Sequence, residues 1–536
     1  MNQMEVKRKR FSIISSIILL LNILVFTGIL GEHGMGYLAG VLECFLLLIL
    51  ITVYTLPEAM AKLIRNRIQK GQNKNVMRVF KAALCLGIIY SVLGSLFILI
   101  CSDILLGNLF KTVYGSFSLR LLAPAYILVV YVQVFRGFFQ GMGTAIPTGV
   151  SQIIESIIFA GTGFLFCYLM GKYGNKVADL LRNDEFIASY SGAGISIGII
   201  VAEFFSILFL IFVYQTNKRN LRRVSDKENF KMTEQISEII RLLIVNMMPY
   251  TICILCNRIS ILGGLSLYQR NITIDVADGI GVCGAFYGKY LSIILLIVMV
   301  IRLSVISIEG QIHAGVKRDE CRNVKEWISI GTHLIVILCV FFTVITATLG
   351  STFVNALFDD NTGNAGKMLE RGPVLILFMS LGLFFSNILI SQGKIRKVIL
   401  NLGCGVIISL VAMMLSTGIG HGEIDGIIIG LCIYWFVVMA GCGVICIKTI
   451  KWKIEWIYMF VIPGGCAALT GIITMLLNKA LINIVGGCIS VIICFIVGIF
   501  AYFILIMALR GIRKEELEVI PGGKFWYRIA ETIHFL

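Results

Sequence analysis

Residues 7–56 read KRKRFSIISSIILLLNILVFTGILGEHGMGYLAGVLECFLLLILITVYTL. Four consecutive cations, Lys7-Arg8-Lys9-Arg10, precede an apolar run over 11–30. A short glycine-rich break follows, and a second apolar run fills 37–56. Each run is long enough to cross the hydrocarbon of a bilayer as a helix. The first resembles a secretory leader, but it carries no small-residue cleavage site and a second span follows at once. It is therefore read as an uncleaved first helix.

The same signature recurs along the chain. Further apolar runs lie at 80–101, 119–136, 146–170, 191–214, 240–263, 284–307, 327–349, 372–391, 398–417, 425–447, 457–477 and 482–509, so fourteen spans are expected. Of the 536 residues, 58% are hydrophobic and 14% charged, with a mean hydropathy of +0.92. That leaves too little polar surface to coat a globule, which excludes a soluble enzyme. The fold class is all-α and polytopic.

The net charge of +16 raises nucleic acid as a partner, but the placement of the charge removes that reading. With the N-terminus inside, 34 of the 46 basic residues fall on the inner side of the spans and 9 on the outer side. This asymmetry is what the positive-inside rule expects of an even span number with both termini cytoplasmic, in a plasma membrane. The basic runs fix topology and lie near anionic lipid. The 16 cysteines are scattered through apolar runs as small core residues, Cys253/Cys256 included. No histidine has metal-ligand spacing and no P-loop is present, so no metal or cofactor is expected.

Gly34-Met35-Gly36-Tyr37 opens the second span and Gly284-Ala285-Phe286-Tyr287 the eighth. Glu58 and Glu309 close them, and Gln140-Gly141 and Gln392-Gly393 follow the fourth and tenth spans. These landmarks keep an offset near 250, which implies two six-helix lobes. The expected organisation is a first lobe over 1–214, a polar linker over 215–239, a second lobe over 240–447, two appended helices over 448–509 and a tail over 510–536. An even number of spans per repeat relates the lobes by an axis along the membrane normal, with a substrate site between them and alternating access by rocking.

The stretch Phe135-Arg136-Gly137-Phe138-Phe139-Gln140-Gly141, continuing through Pro147-Thr148, Ser151-Gln152 and Glu155, resembles the polysaccharide transporter branch of the MOP flippases. That branch includes the stage V sporulation protein B family and is related to the lipid II flippase MurJ. Leu30-Gly31-x-x-Gly34-x-Gly36 and Leu56-Pro57-x-Ala59-x-x-Lys62 agree with it. The resemblance implies two lobes around a hydrated cavity and export of an undecaprenyl-diphosphate-linked sugar. Related flippases usually carry arginines in the first helix that are thought to meet the diphosphate. Here that helix has Asn22, with Gly28 near the place of one arginine, so a lipid-linked glycan is a safer cargo than lipid II itself.

Charges within spans are expensive and mark function or pairing. Arg136, Arg258 and Arg302 are the candidates for a diphosphate, which a guanidinium fork suits; the alternative is that each neutralises a carboxylate or reaches for the surface. Glu43, Glu155 and Glu203 are candidates for coupling to H+ or Na+, or else structural ion pairs. Gln140, Gln152 and Asn257 can meet sugar hydroxyls or bond neighbouring helices. Pro57 and Pro249 are candidate hinges or static kinks. Gly137 and Gly141 suit a tight turn at a gate.

The leading function is therefore a flippase, not an enzyme, expected to act as a monomer on a lipid-linked glycan among membrane lipids. An ion-coupled multidrug exporter of the same superfamily is the alternative, and it calls for an acidic, aromatic cavity. A membrane glycosyltransferase or glycan ligase needs catalytic carboxylates on sizeable outer loops. Asp275, Asp278, Asp359 and Asp360 sit in short ones.

Overall fold

Gly31 holds φ 69° and ψ 179° in the middle of one continuous helical path, α1 (Gln3–Thr52). A side chain is strained at that φ, and glycine is not. The break bends the path, so two spans follow one another without a loop. The computed structural model describes residues 3–112, 114–144, 146–226, 234–271, 276–318, 320–359, 362–419, 424–452, 455–513 and 516. Among these there is no strand.

The remaining helices are α2 (Leu56–Gln69), α3 (Asn73–Phe110), α4 (Ser116–Gly141), α5 (Ile146–Leu181), α6 (Glu185–Asp226), α7 (Ile236–Asn271), α8 (Val276–Gly284), α9 (Ser292–Lys317), α10 (Cys321–Phe358), α11 (Asn364–Arg371), α12 (Leu375–Ser391), α13 (Ile395–Ile419), α14 (Asp425–Ile450), α15 (Ile462–Val485) and α16 (Gly487–Ala508). A π-helical turn, Ala285–Leu291, joins α8 to α9, and a second one, Ile457–Val461, leads into α15. Among the described residues twelve apolar helical stretches are long enough to cross a membrane. The 64-residue stretch Val6–Gln69 is far too long for a single crossing and contains the Gly31 break. The pair α11 and α12, bent by 57° around Gly372-Pro373-Val374, forms one further broken span. Counting Val6–Gln69 as two crossings gives the fourteen expected. The chain is a multi-pass membrane protein.

The chain divides into two compact units, residues 2–288 and 289–536. In the first, α5 lies along α6, α4 packs on α3 and α6, α2 on α4, α7 on α3, and the second arm of α1 on α8. In the second, α10 is central, touching α9, α11, α12, α15 and α16, while α12 and α13 flank α14. Its core gathers Phe341, Ile345, Cys466, Tyr502 and Ile506. The division falls at Gly288, and α7 belongs to the first unit.

Two expected loops are mostly helix. The stretch 171–190 contracts to residues 182–184 between α5 and α6. The stretch 264–283 is taken up by the end of α7 and by α8, with 272–275, and so Asp275, outside the described residues. The polar residues past the apolar runs, such as Lys172, Lys176 and Asp179, continue helical turns into water rather than ending them. At 36 residues, α5 runs about 54 Å, well beyond the roughly 30 Å of hydrocarbon. The segment 215–239 likewise begins as an extension of α6, and 227–233 lie outside the described residues.

Candidate functional site

The structure gathers three expected residues of the first unit into one cluster. Arg136 on α4 is 4% exposed. Its Nη2 donates to Glu155 Oε2 on α5 at 2.5 Å and to Ser206 Oγ on α6 at 3.3 Å, and its Nε donates to Ser151 Oγ at 3.0 Å. The Glu203 carboxyl, on α6 and 7% exposed, is within hydrogen-bonding reach of Glu155 and faces the same guanidinium. Two carboxyls thus share one cation. Neutrality inside the bundle requires one more positive charge, a proton or a metal cation. Arg136 is enclosed by these partners and cannot meet a headgroup without breaking the cluster, so its assignment to a diphosphate is withdrawn.

A second cluster joins the second arm of α1 to α7. Glu43 is fully buried, and Arg258 Nε lies 3.2 Å from its Oε2. Tyr287, in the π-helical turn, is within hydrogen-bonding reach of both side chains. Tyr287 belongs to a repeat landmark, and nothing local in the sequence marks it as a partner of charges so distant in the chain. Arg258 is therefore a paired charge, and Glu43 its counter-ion. Nearby on the same pair of spans, Thr55 and Thr251 hydroxyls are 2.7 Å apart, and Lys62 Nζ donates to Asn246 Oδ1 at 3.1 Å. Asn257 is half-buried beside Arg258.

The amides bond to neighbouring helices. Gln140 is 6% exposed, with its Oε1 accepting from Arg8 Nη1 at 2.8 Å and its carbonyl from Arg65 Nη2 at 3.2 Å. Gln152 gives its carbonyl to Ser15, while its Oε1 is buried with no partner among the described residues. Asn22 donates to the Ser156 carbonyl at 3.0 Å, tying α1 to α5.

Gly137 and Gly141 are corrected. Both lie within α4 and neither forms a turn; Gly143, with φ 81°, does that. A Cβ on Gly137 would stand 2.8 Å from Pro57 Cα, and one on Gly141 would stand 2.6 Å from Ile64 Cβ. Their four-residue spacing lets α2 lie close against α4, as small residues do between membrane helices. Pro57 sits in the first turn of α2, where its missing N–H has no role, so it starts a helix rather than bending one. Pro249 lies inside α7, which stays one continuous helix. It bends nothing sharply enough to divide the element.

Arg302 belongs to the second unit. It is half-buried on α9 and has no ion-pair partner among the described residues. Of the three candidate arginines it alone keeps an uncommitted charge. In the same unit sequence reasoning missed a buried cluster. His333 Nδ1 is 2.8 Å from Glu516 Oε1, and Tyr458 Oη donates to Glu516 Oε2 at 2.8 Å. Its partners come from α10, a π-helical turn and the tail, and no periodicity connects them.

A family model described as "Polysaccharide biosynthesis protein" matches residues 11–275. Stage V sporulation protein B of Bacillus subtilis (strain 168) is 20% identical over 197 residues, 37% of this chain and 36% of that protein. The aligned stretch thus spans about a third of that curated relative. Among solved structures, one described as the lipid II flippase MurJ in an inward closed conformation matches with a TM-score of 0.65 and 11% identity, covering 93% of this chain and 98% of that one. An inward-facing multidrug resistance MATE family transporter of the MOP superfamily matches with a TM-score of 0.64 and 14% identity, covering 82% of this chain and 95% of that one. At such identities the likeness to these structures is one of fold. The chain thus has the fold of these transporters, and its first unit matches the polysaccharide biosynthesis model.

Proposed function

We propose that the protein carries an undecaprenyl-diphosphate-linked oligosaccharide or peptidoglycan precursor across the plasma membrane by alternating access. It would act as a flippase rather than an enzyme, with both termini cytoplasmic. The family match to polysaccharide biosynthesis and the flippase named among the fold relatives support this reading. The observation that carries it is Arg302. An uncommitted guanidinium within a membrane helix is expensive unless an anion meets it, and a diphosphate supplies oxygens that fit its planar fork. Arg258 joins it in this reading only once released from Glu43, an exchange that would link cargo arrival to rearrangement of α7.

The cluster of Arg136, Glu155 and Glu203 is the proposed coupling element. Its unmatched carboxyl takes a proton or Na+, and discharging that charge alters the contact of α4, α5 and α6. The repeated landmarks support two like-oriented lobes, 1–214 and 240–447, as the moving bodies.

The test is complementation of a strain lacking a lipid-linked glycan flippase. Wild type is expected to restore polymer synthesis, and Arg302→Ala to reach the membrane at normal abundance without restoring it. Full activity of Arg302→Ala would remove the headgroup assignment. The acidic cluster favours one second reading, an ion-coupled multidrug exporter. Resistance to organic cations conferred by the wild type, unaltered by Arg302→Ala, would select it.

A further inference from the structure

A cavity of about 410 Å³ opens in the second unit where the end of α9, the start of α10, the end of α12 and the end of α14 meet. Its wall carries Lys325, Lys394 and Lys451, with Gln392, Thr449 and Glu320. None of the three lysines has an ion-pair partner among the described residues. Among the described residues the one acid on the wall is already engaged: Glu320 Oε2 accepts from Asn323 Nδ2 at 3.1 Å, and its Oε1 lies 3.9 Å from Arg318. Gln392 Oε1 is buried and has no partner among the described residues. Among the described residues the cavity wall therefore carries excess positive charge.

The first unit has a cavity at the corresponding place in the repeat, between the start of α3, the end of α4 and α6. It is smaller, about 240 Å³, and apolar where the other is cationic, with Met77, Phe138, Phe139 and Val213 on its wall. Lysines are thus no requirement of building that junction. In the first unit, too, the glutamine equivalent to Gln392, Gln140, is satisfied by Arg8.

We infer that the lysine cavity binds the phosphodiester headgroup of an anionic phospholipid. Three ammonium groups meet the phosphate charge. Inorganic phosphate shares this chemistry, but the neighbouring surface favours a lipid. Trp456, Ile457 and Val461, just beyond Lys451, are 66%, 71% and 62% exposed and offer an apolar bed for acyl chains. The site uses none of the residues assigned to cargo or coupling, so it goes beyond the proposed function and stands apart from it.

The test titrates the purified full-length protein in detergent, by native mass spectrometry, with short-chain phosphatidylglycerol, phosphatidylcholine or inorganic phosphate. Saturable binding of phosphatidylglycerol is expected, stronger than of phosphatidylcholine. Each lysine removed should weaken it about fivefold, and Lys325→Gln/Lys394→Gln/Lys451→Gln together about a hundredfold. Arg396→Gln/Lys397→Gln, at the same end but off the cavity wall, should bind as wild type does. If the triple glutamine variant is not monodisperse, Lys394→Gln alone and the triple arginine variant carry the test, the first weakened and the second retained. Equal phosphatidylglycerol binding by wild type and the lysine variants would overturn the site. Saturable phosphate binding without any lipid preference would overturn the lipid assignment.

Discussion

Gly36 and Gly284 lie face to face: a Cβ on Gly284 would stand 2.7 Å from the Gly36 amide nitrogen, and one on Gly36 would collide with the Ile280 carbonyl. These are the landmarks that open the second and eighth spans. The recurrence read from the sequence is therefore also a contact, in which each copy's missing side chain makes room for the other.

Replacing Gly284 by leucine should force the second arm of α1 away from α8. Overpacking of this kind costs about 1–3 kcal/mol, and more where backbone is the obstacle. Thermal unfolding in detergent should fall by several degrees, whereas Gly107→Ala, with open space around its Cβ, should not lower it.

Glu43→Ala should be among the most damaging substitutions in the first unit. It strands the Arg258 guanidinium, at a cost of about 3–5 kcal/mol for a broken buried pair. The double variant Glu43→Leu/Arg258→Met should regain most of that stability, as measured by thermal unfolding. It should still fail in complementation if Arg258 is needed for cargo.

Arg302→Lys separates charge from shape. Lysine keeps the charge but loses the fork, so the variant should retain partial transport where Arg302→Ala retains none. Both should unfold within about 0.5 kcal/mol of wild type, since no partner is lost. A stability loss as large as that of Glu43→Ala would mean that Arg302 is structural.

Glu203→Gln should leave the fold intact, because an amide can still donate to Glu155, and should remove the cluster's surplus negative charge. Transport in vesicles with an imposed pH or Na+ gradient should then lose its dependence on that gradient. A gradient response equal to wild type would place coupling elsewhere. Arg136→Ala, by contrast, leaves two facing carboxylates, and the protein should lose stability by about 3–5 kcal/mol.

The span count was legible because hydrocarbon thickness sets a minimum apolar length, and the runs around Asn22, Glu43 or Cys494 meet it without tertiary information. The lengths of α5 and α6 were not, because helix beyond the bilayer is held by neighbours rather than by hydropathy. Arg136 and Glu155 could be singled out as costly charges. Their mutual pairing, and the pairing of Glu43 with Arg258, depends on which helices become adjacent, and a single sequence does not encode that in any local pattern. Gly137 and Gly141 carry a spacing that fits close helix contact as well as a turn, and only the position of Pro57 and Ile64 decides between them.

The stalk formed by α5 and α6 has a practical consequence. Tyr173 and Tyr190 meet edge to face across it, a Cβ on Gly174 would crowd Ile187, and the connection at 182–184 leaves no slack. Leu180, 82% exposed, sits at the tip. A binder raised against that tip, or a rigid fusion spliced through it, would move with the first unit as a fixed marker, giving a small, otherwise featureless molecule an orientation that electron images can recognise.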